Sequence, residues 1–135
     1  MTYLVDTNVL SEAAKAKPAA KVIDWLRTNE AKLVVDPLIL GEIRFGIPLL
    51  PAGKRRQRLQ RWFDQGVAKL TCLPWTAETG LRWAELLAGL RAGGRGMPIK
   101  DSLIAATALL HDLIVVTRNT RDFRNASVQV LDPFA

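Results

Sequence analysis

Short apolar runs alternate along the chain with longer amphipathic stretches. Thr2 to Val5 reads as a first strand, Leu33-Val34-Val35 as a second and Leu70 to Leu73 as a third. Leu113 to Thr117 reads as a fourth and Val128 to Leu131 as a last short one. Most are rich in β-branched residues and stop at polar or turn-forming positions, as buried strands do. Helical patterns lie between them. Asp6-Thr7-Asn8 offers a strand exit and an N-cap for a helix through Ser11-Glu12-Ala13-Ala14. Pro18 begins a second helix, with Val22, Ile23, Trp25 and Leu26 as its apolar face. Asp36-Pro37 caps and opens a third, which carries Glu42. Pro48, Pro51 and Gly53 break the chain before a basic helix from Lys54 to about Val67. Two more helices, Ala77 to about Ala92 and Ile99 to His111, flank the loop Gly93-Gly94-Arg95-Gly96-Met97-Pro98.

Strands without polar alternation, interleaved with helices, predict an α/β fold whose parallel sheet is covered on both faces. A length of 135 residues without a repeat or linker fits one domain spanning the whole chain.

Charge narrows the partners. Nineteen Lys and Arg face thirteen Asp and Glu, a net charge of +6, which favours a polyanion. No segment reaches the roughly 18 apolar residues of a spanning helix, and the N-terminus lacks a signal-peptide pattern. No membrane role is expected. Cys72 is alone, which excludes an internal disulfide and a Cys-rich zinc site. It reads as an inert buried thiol, and a cytoplasmic location follows as the expectation.

The acids are fewer and their positions are informative. Asp6 closes the first strand, Glu42 lies a turn into the helix after the second, Asp101 opens the Ile99 helix and Asp122 trails the fourth strand. In open parallel sheets, sites form beyond the carboxyl ends of the strands. Carboxylates gathered there repel one another, and a divalent cation relieves that repulsion. Each acid also has a plain structural reading: Asp6 as a helix cap, Glu42 as a solvated helix residue, Asp101 as a first-turn acid, Asp122 as a surface acid. Asp36 is fully explained as the cap before Pro37 and stays outside the site. Glu12 reads as part of a solvated face.

Four segments sharpen the choice: Tyr3-Leu4-Val5-Asp6-Thr7-Asn8-Val9-Leu10, Glu42-Ile43-Arg44-Phe45-Gly46, Asp101-Ser102-Leu103-Ile104-Ala105-Ala106-Thr107-Ala108 and Val116-Thr117-Arg118-Asn119-Thr120-Arg121-Asp122-Phe123. Together, in this order and across the chain, they resemble the PIN-domain nucleases, and within them the VapC toxins and their FitB-like branch. The resemblance implies a three-layer α/β/α sandwich around a mainly parallel sheet of about five strands. It implies an endoribonuclease dependent on Mg2+ or Mn2+, a homodimer, a small cognate antitoxin of the VapB or FitA kind, and promoter DNA bound only through that antitoxin. Asp6 and Asp101 match the acids that ligate metal directly, and Glu42 the one that completes the shell. Either Asn119 or Asp122 fills the fourth position. Thr7, Asn8 and Thr117 are placed to support the cluster, as is Asn119. A processing nuclease without antitoxin is the other reading of the same motifs.

The basic residues fall into two groups. Lys54, Arg55, Arg56, Arg58 and Arg61 share one helix, as a solubilising face or a polyanion contact. Arg95 and Lys100 adjoin Asp101 and are candidates for RNA phosphate contacts. The glycine loop follows a helix and so is no dinucleotide fingerprint. The Trp residues read mainly as core. His111, at a helix end, is explained by the dipole and is not a general base.

Overall fold

The computed structural model describes residues 1–135. Strands β1 (Tyr3–Val5), β2 (Leu33–Val35), β3 (Thr71–Cys72), β4 (Ile114–Val116) and β5 (Val130–Leu131) form one sheet in the order β3-β2-β1-β4-β5. Every pairing is parallel. The sheet steps outward from β1 through β2 to β3, then crosses back to β4 and β5. Right-handed crossovers therefore put the connections of the two halves on opposite faces, which is the three-layer α/β/α arrangement. Tyr3 pairs with Leu33 on one side and with Ile114 on the other, so β1 is central. Leu4, Val5, Val35, Val115 and Val116 are fully buried, as strands covered on both faces must be.

Six α-helices complete the fold: α1 (Thr7–Leu10), α2 (Ala20–Thr28), α3 (Pro37–Gly46), α4 (Lys54–Gln65), α5 (Ala77–Ala92) and α6 (Ile99–His111). α3, α5 and α6 sit where the sequence pattern predicts. The helix after Asp6 does not run on as one piece. α1 is a single turn and Ser11–Ala14 tightens into 310 helix. α2 starts at Ala20, two residues past Pro18, because Pro18 and Ala19 lead into it as an extended segment whose Ala19 N–H is bound by Glu12 Oε2 at 2.8 Å. Further 310 turns at Glu30–Lys32, Val67–Lys69 and Thr120–Ala126 carry no apolar period and were not expected.

Glu12 overturns the solvated reading. It is 5% exposed, and its carboxylate also holds Lys15 Nζ at 2.9 Å. The ammonium and the Ala19 amide keep its carboxyl below the usual range. Asp36 is a cap as expected, accepting the Ile39 amide at 3.0 Å, but its second oxygen also accepts the Thr107 hydroxyl at 3.0 Å. It thereby pins α3 to α6. Cys72 is half-buried and not fully buried as expected. Burial and the Asp36 charge still push its thiol upward, as burial does the Asp36 carboxyl, which keeps the thiol unreactive. The indole N–H of Trp83 donates to Ser102 Oγ at 2.9 Å, joining α5 to α6. No helix is long and apolar enough to cross a membrane.

Candidate active site

The order of the strands reverses between β1 and β4, and the crevice beyond their carboxyl ends is where such sheets bind ligands. Val5 lies opposite Val116 in the register, so the next residues, Asp6 and Thr117, emerge side by side. The Asp6 amide closes the ladder on Val116 O at 2.9 Å. Beyond that bond the chains part, and only side chains remain to join them.

They join around Asp6. Its Oδ1 accepts the Thr7 amide at 2.8 Å, the helix cap foreseen as its plain role. Its Oδ2 accepts the Thr117 hydroxyl at 2.9 Å and the Asn8 side-chain amide at 3.3 Å. Asn8 is held in turn by its Oδ1, which accepts the Arg118 amide at 3.0 Å. Thr117 Oγ1 accepts the Asn119 amide at 3.0 Å. The expected supporting residues Thr7, Asn8, Thr117 and Asn119 thus all reach the cluster, Asn119 through its backbone. Arg118 was missed because only its amide acts there, and an amide leaves no trace in residue type. Its guanidinium lies 4.5 Å over the Phe134 ring.

Asp101 arrives from the first turn of α6. Burial raises its carboxyl to about 6, and the like charges of Asp122, Asp6 and Glu42 add to that. The Asp6 carboxyl is also raised, mainly by burial, with Glu42 contributing. Asp101 thus senses the charge of each of the other three acids, and Asp6 that of Glu42. Asp122 is carried in by the 310 turn Thr120–Ala126, its amide bound to Asn119 O at 3.1 Å. Glu42 is engaged otherwise: Lys100 Nζ sits 3.1 Å from its Oε2. Lys100 was expected to face phosphate, yet here it is the counter-charge of the acids. Arg95 lines a separate cavity of about 400 Å3 between α5 and α6, with Arg82, Glu85 and Asn125.

No three acids stand within the reach of one shared cation as the side chains are set. The donor set nevertheless suits a hard divalent ion, since it is all carboxylate and hydroxyl oxygen. Thr7 Oγ1 is buried beside Asp6 with no hydrogen-bond partner, which marks a polar position able to serve a further ligand.

Residues 3–128 match the PIN domain family. The chain is 33% identical to a VapC ribonuclease of Sinorhizobium fredii, over 97% of this chain and 96% of the other. It is 32% identical to the toxin FitB of Neisseria gonorrhoeae, covering 97% of each. Among solved structures it superposes on a chain of the FitAB complex bound to a DNA fragment with a TM-score of 0.92 at 30% identity, covering 99% and 96% of the two chains. The parallel sheet and the family match define an α/β domain of the PIN class. The chain belongs to the PIN-domain family and, within it, to the group that holds VapC and FitB.

Proposed function

We propose that this protein is the toxin of a type II toxin–antitoxin pair, a divalent-metal-dependent endoribonuclease. The observation that carries the reading is the convergence of Asp6, Glu42, Asp101 and Asp122 at the switch point of the sheet, inside a chain of net charge +6. Relatives named as ribonucleases support it, among them a tRNA(fMet)-specific endonuclease VapC of Shigella flexneri, 28% identical over 91% of this chain.

Asp6 and Asp101 would hold the cation, with Glu42 and Asp122 completing the acidic shell. Mg2+ or Mn2+, when bound there, lowers the pKa of a water and offsets charge on the departing oxygen of a phosphodiester. The chain's own groups do the rest. Thr117, Asn8 and the Thr7 amide fix the Asp6 carboxylate so that it needs no reorientation. A carboxylate beyond the two direct ligands, Glu42 or Asp122, would take the proton as the water oxygen bonds to phosphorus, and the departing 3′ oxygen would gain its proton from solvent. The bond from phosphorus to the 3′ oxygen breaks in line, and the products carry 5′-phosphate and 3′-hydroxyl ends. Asp122, whose charge reaches Asp101, is proposed for the fourth position, with Asn119 as the alternative.

An antitoxin would silence the enzyme by covering the acids. Three of the similar structures, one FitAB and two VapBC complexes, are bound to DNA, so a promoter-binding complex in which the antitoxin reads the DNA is the second reading. Phe45 and Leu49, 67% and 68% exposed, offer apolar surface for a homodimer. A cytoplasmic site of action accompanies this reading.

The test uses antitoxin-free protein and labelled RNA. Wild type is expected to cut in Mn2+ and to be silent in chelator, and Asp6→Asn to lose about a hundredfold or more in rate, since even residues that only orient a ligand cost roughly 10–100-fold. Equal cleavage by wild type and Asp6→Asn would end the proposal.

A further inference from the structure

The basic helix α4 has no carboxylate partner. It carries Lys54, Arg55, Arg56, Arg58 and Arg61 against the single acid Asp64, and Asp64 is taken by Gln60 Nε2 at 2.8 Å. The ion pairs of the molecule all lie elsewhere, at Lys15–Glu12, Arg82–Glu85 and Lys100–Glu42. A run of unpaired arginines repels itself, and only an external anion relieves that repulsion.

Arg55 and Arg58 lie on the rim of a groove of about 430 Å3 between α4, the end of α3 and the 310 turn after α1. Its floor is apolar, formed by Ile43, Leu59 and Trp62. Lys15 stands on the opposite rim, but its charge is matched by Glu12. The groove's near end is set by Ser11 and by Ile43. Ile43 follows Glu42 directly, and Ser11 lies three residues past Asn8, about one helical turn of roughly 5 Å. The groove is thus built partly on α3, the helix that carries Glu42, and its rim bears the opposite charge.

We infer that this groove binds the single-stranded RNA flanking the cleaved bond, with Arg55 and Arg58 on its phosphates and the apolar floor beneath its bases. A basic rim over an apolar floor is how single strands are held without sequence readout. RNA as the occupant rests on the nuclease reading above. The acids handle one phosphodiester and repel its neighbours, so the flanking chain needs cations placed beyond them.

The experiment measures binding of a fluorescent 12-nucleotide oligouridylate to metal-free Asp6→Asn protein over a range of KCl. The comparison adds Arg55→Gln and Arg58→Gln together, both at exposed positions, with thermal melting as the control for folding. The double replacement is expected to weaken binding at least about tenfold at low salt. It should also flatten the salt slope by about 1.4, at roughly 0.7 for each single-strand phosphate deprived of its arginine. Unchanged affinity and slope would overturn the groove. So would a variant that keeps its RNA affinity yet no longer forms the complex with its antitoxin, which would assign the surface to protein. Cleavage by wild type is scored separately. Cleavage with a neutral groove variant removes only the groove, whereas Arg55- and Arg58-dependent binding without any cleavage removes only the nuclease reading.

Discussion

Asp101 is the residue at which burial and repulsion are most evident. In the folded protein it holds its proton up to about pH 6, while the unfolded chain releases it near 3.8. Between those values the folded state binds more protons than the unfolded one, so stability falls as pH rises through the window. Above about 6 the whole of that penalty is present. Asp101→Asn removes it and should flatten the metal-free protein's urea midpoint between pH 4 and 7, leaving the smaller contribution of Asp6, which has the same sign. A divalent cation acts on the same repulsion from outside. Mn2+ is therefore expected to raise the melting temperature of wild type more than that of Asp101→Asn at pH 7.5, and equal rises would remove Asp101 from the ligands. Lys100 is the internal rival of that cation. Its ammonium is exposed, so solvent screens the pair with Glu42. Lys100→Met should thus barely change stability, yet lower the Mn2+ concentration at the midpoint of a thermal-shift titration.

At the scale of elements, α3 is the arm that carries Glu42, and Asp36 fixes its start. Asp36→Ala removes a cap and the nearer of the two acceptors of the Thr107 hydroxyl, which keeps the Leu103 carbonyl at 3.4 Å. A loss of about 1–2 kcal/mol is expected in the unfolding free energy from urea titration, from about 1 for the cap and up to about 1 for the lost hydrogen bond. Asp36→Asn, which keeps an acceptor for Ile39, should cost less. The existence of α3 and its cap was legible from Asp36-Pro37, because capping chemistry is local. The bond to Thr107 was not, since it spans 71 positions. Glu12 teaches the same lesson with the opposite outcome. A charged residue one turn from Asn8 looks solvated by composition, and only the returning chain at Ala19 buries it. The 310 turn that delivers Asp122 was hidden too, as it has no apolar period to read. The four acids were legible as strand-end and helix-start residues. Lys100 on Glu42 was not, because pairing between side chains on separate elements leaves no sequence pattern.

The molecule as a whole has its charges sorted. Acids collect at the switch point, and unpaired arginines collect on α4. A polyanion meeting this surface is attracted by the arginines and repelled by the acids until a cation is bound. Mn2+ should accordingly strengthen oligouridylate binding to wild type beyond any effect of the same ionic strength of KCl. Fluorescence titration in matched salt checks this, and equal affinities in the two salts would show that acids and arginines serve different ligands.

The hydrogen bond between Thr117 and Asp6 joins residues 111 positions apart. A ribosome makes Asp6 almost at once and Thr117 near the end, so at roughly 5–20 residues per second the first acid waits several seconds for its anchor. Throughout that interval the emerging chain lacks β4, the strand that forms one wall of the crevice. The geometry proposed to cut RNA therefore comes into being only when synthesis is nearly complete. Through most of synthesis the growing chain holds, of the four acids, only Asp6 and Glu42, with neither Asp101 nor Asp122 yet made to complete the cluster.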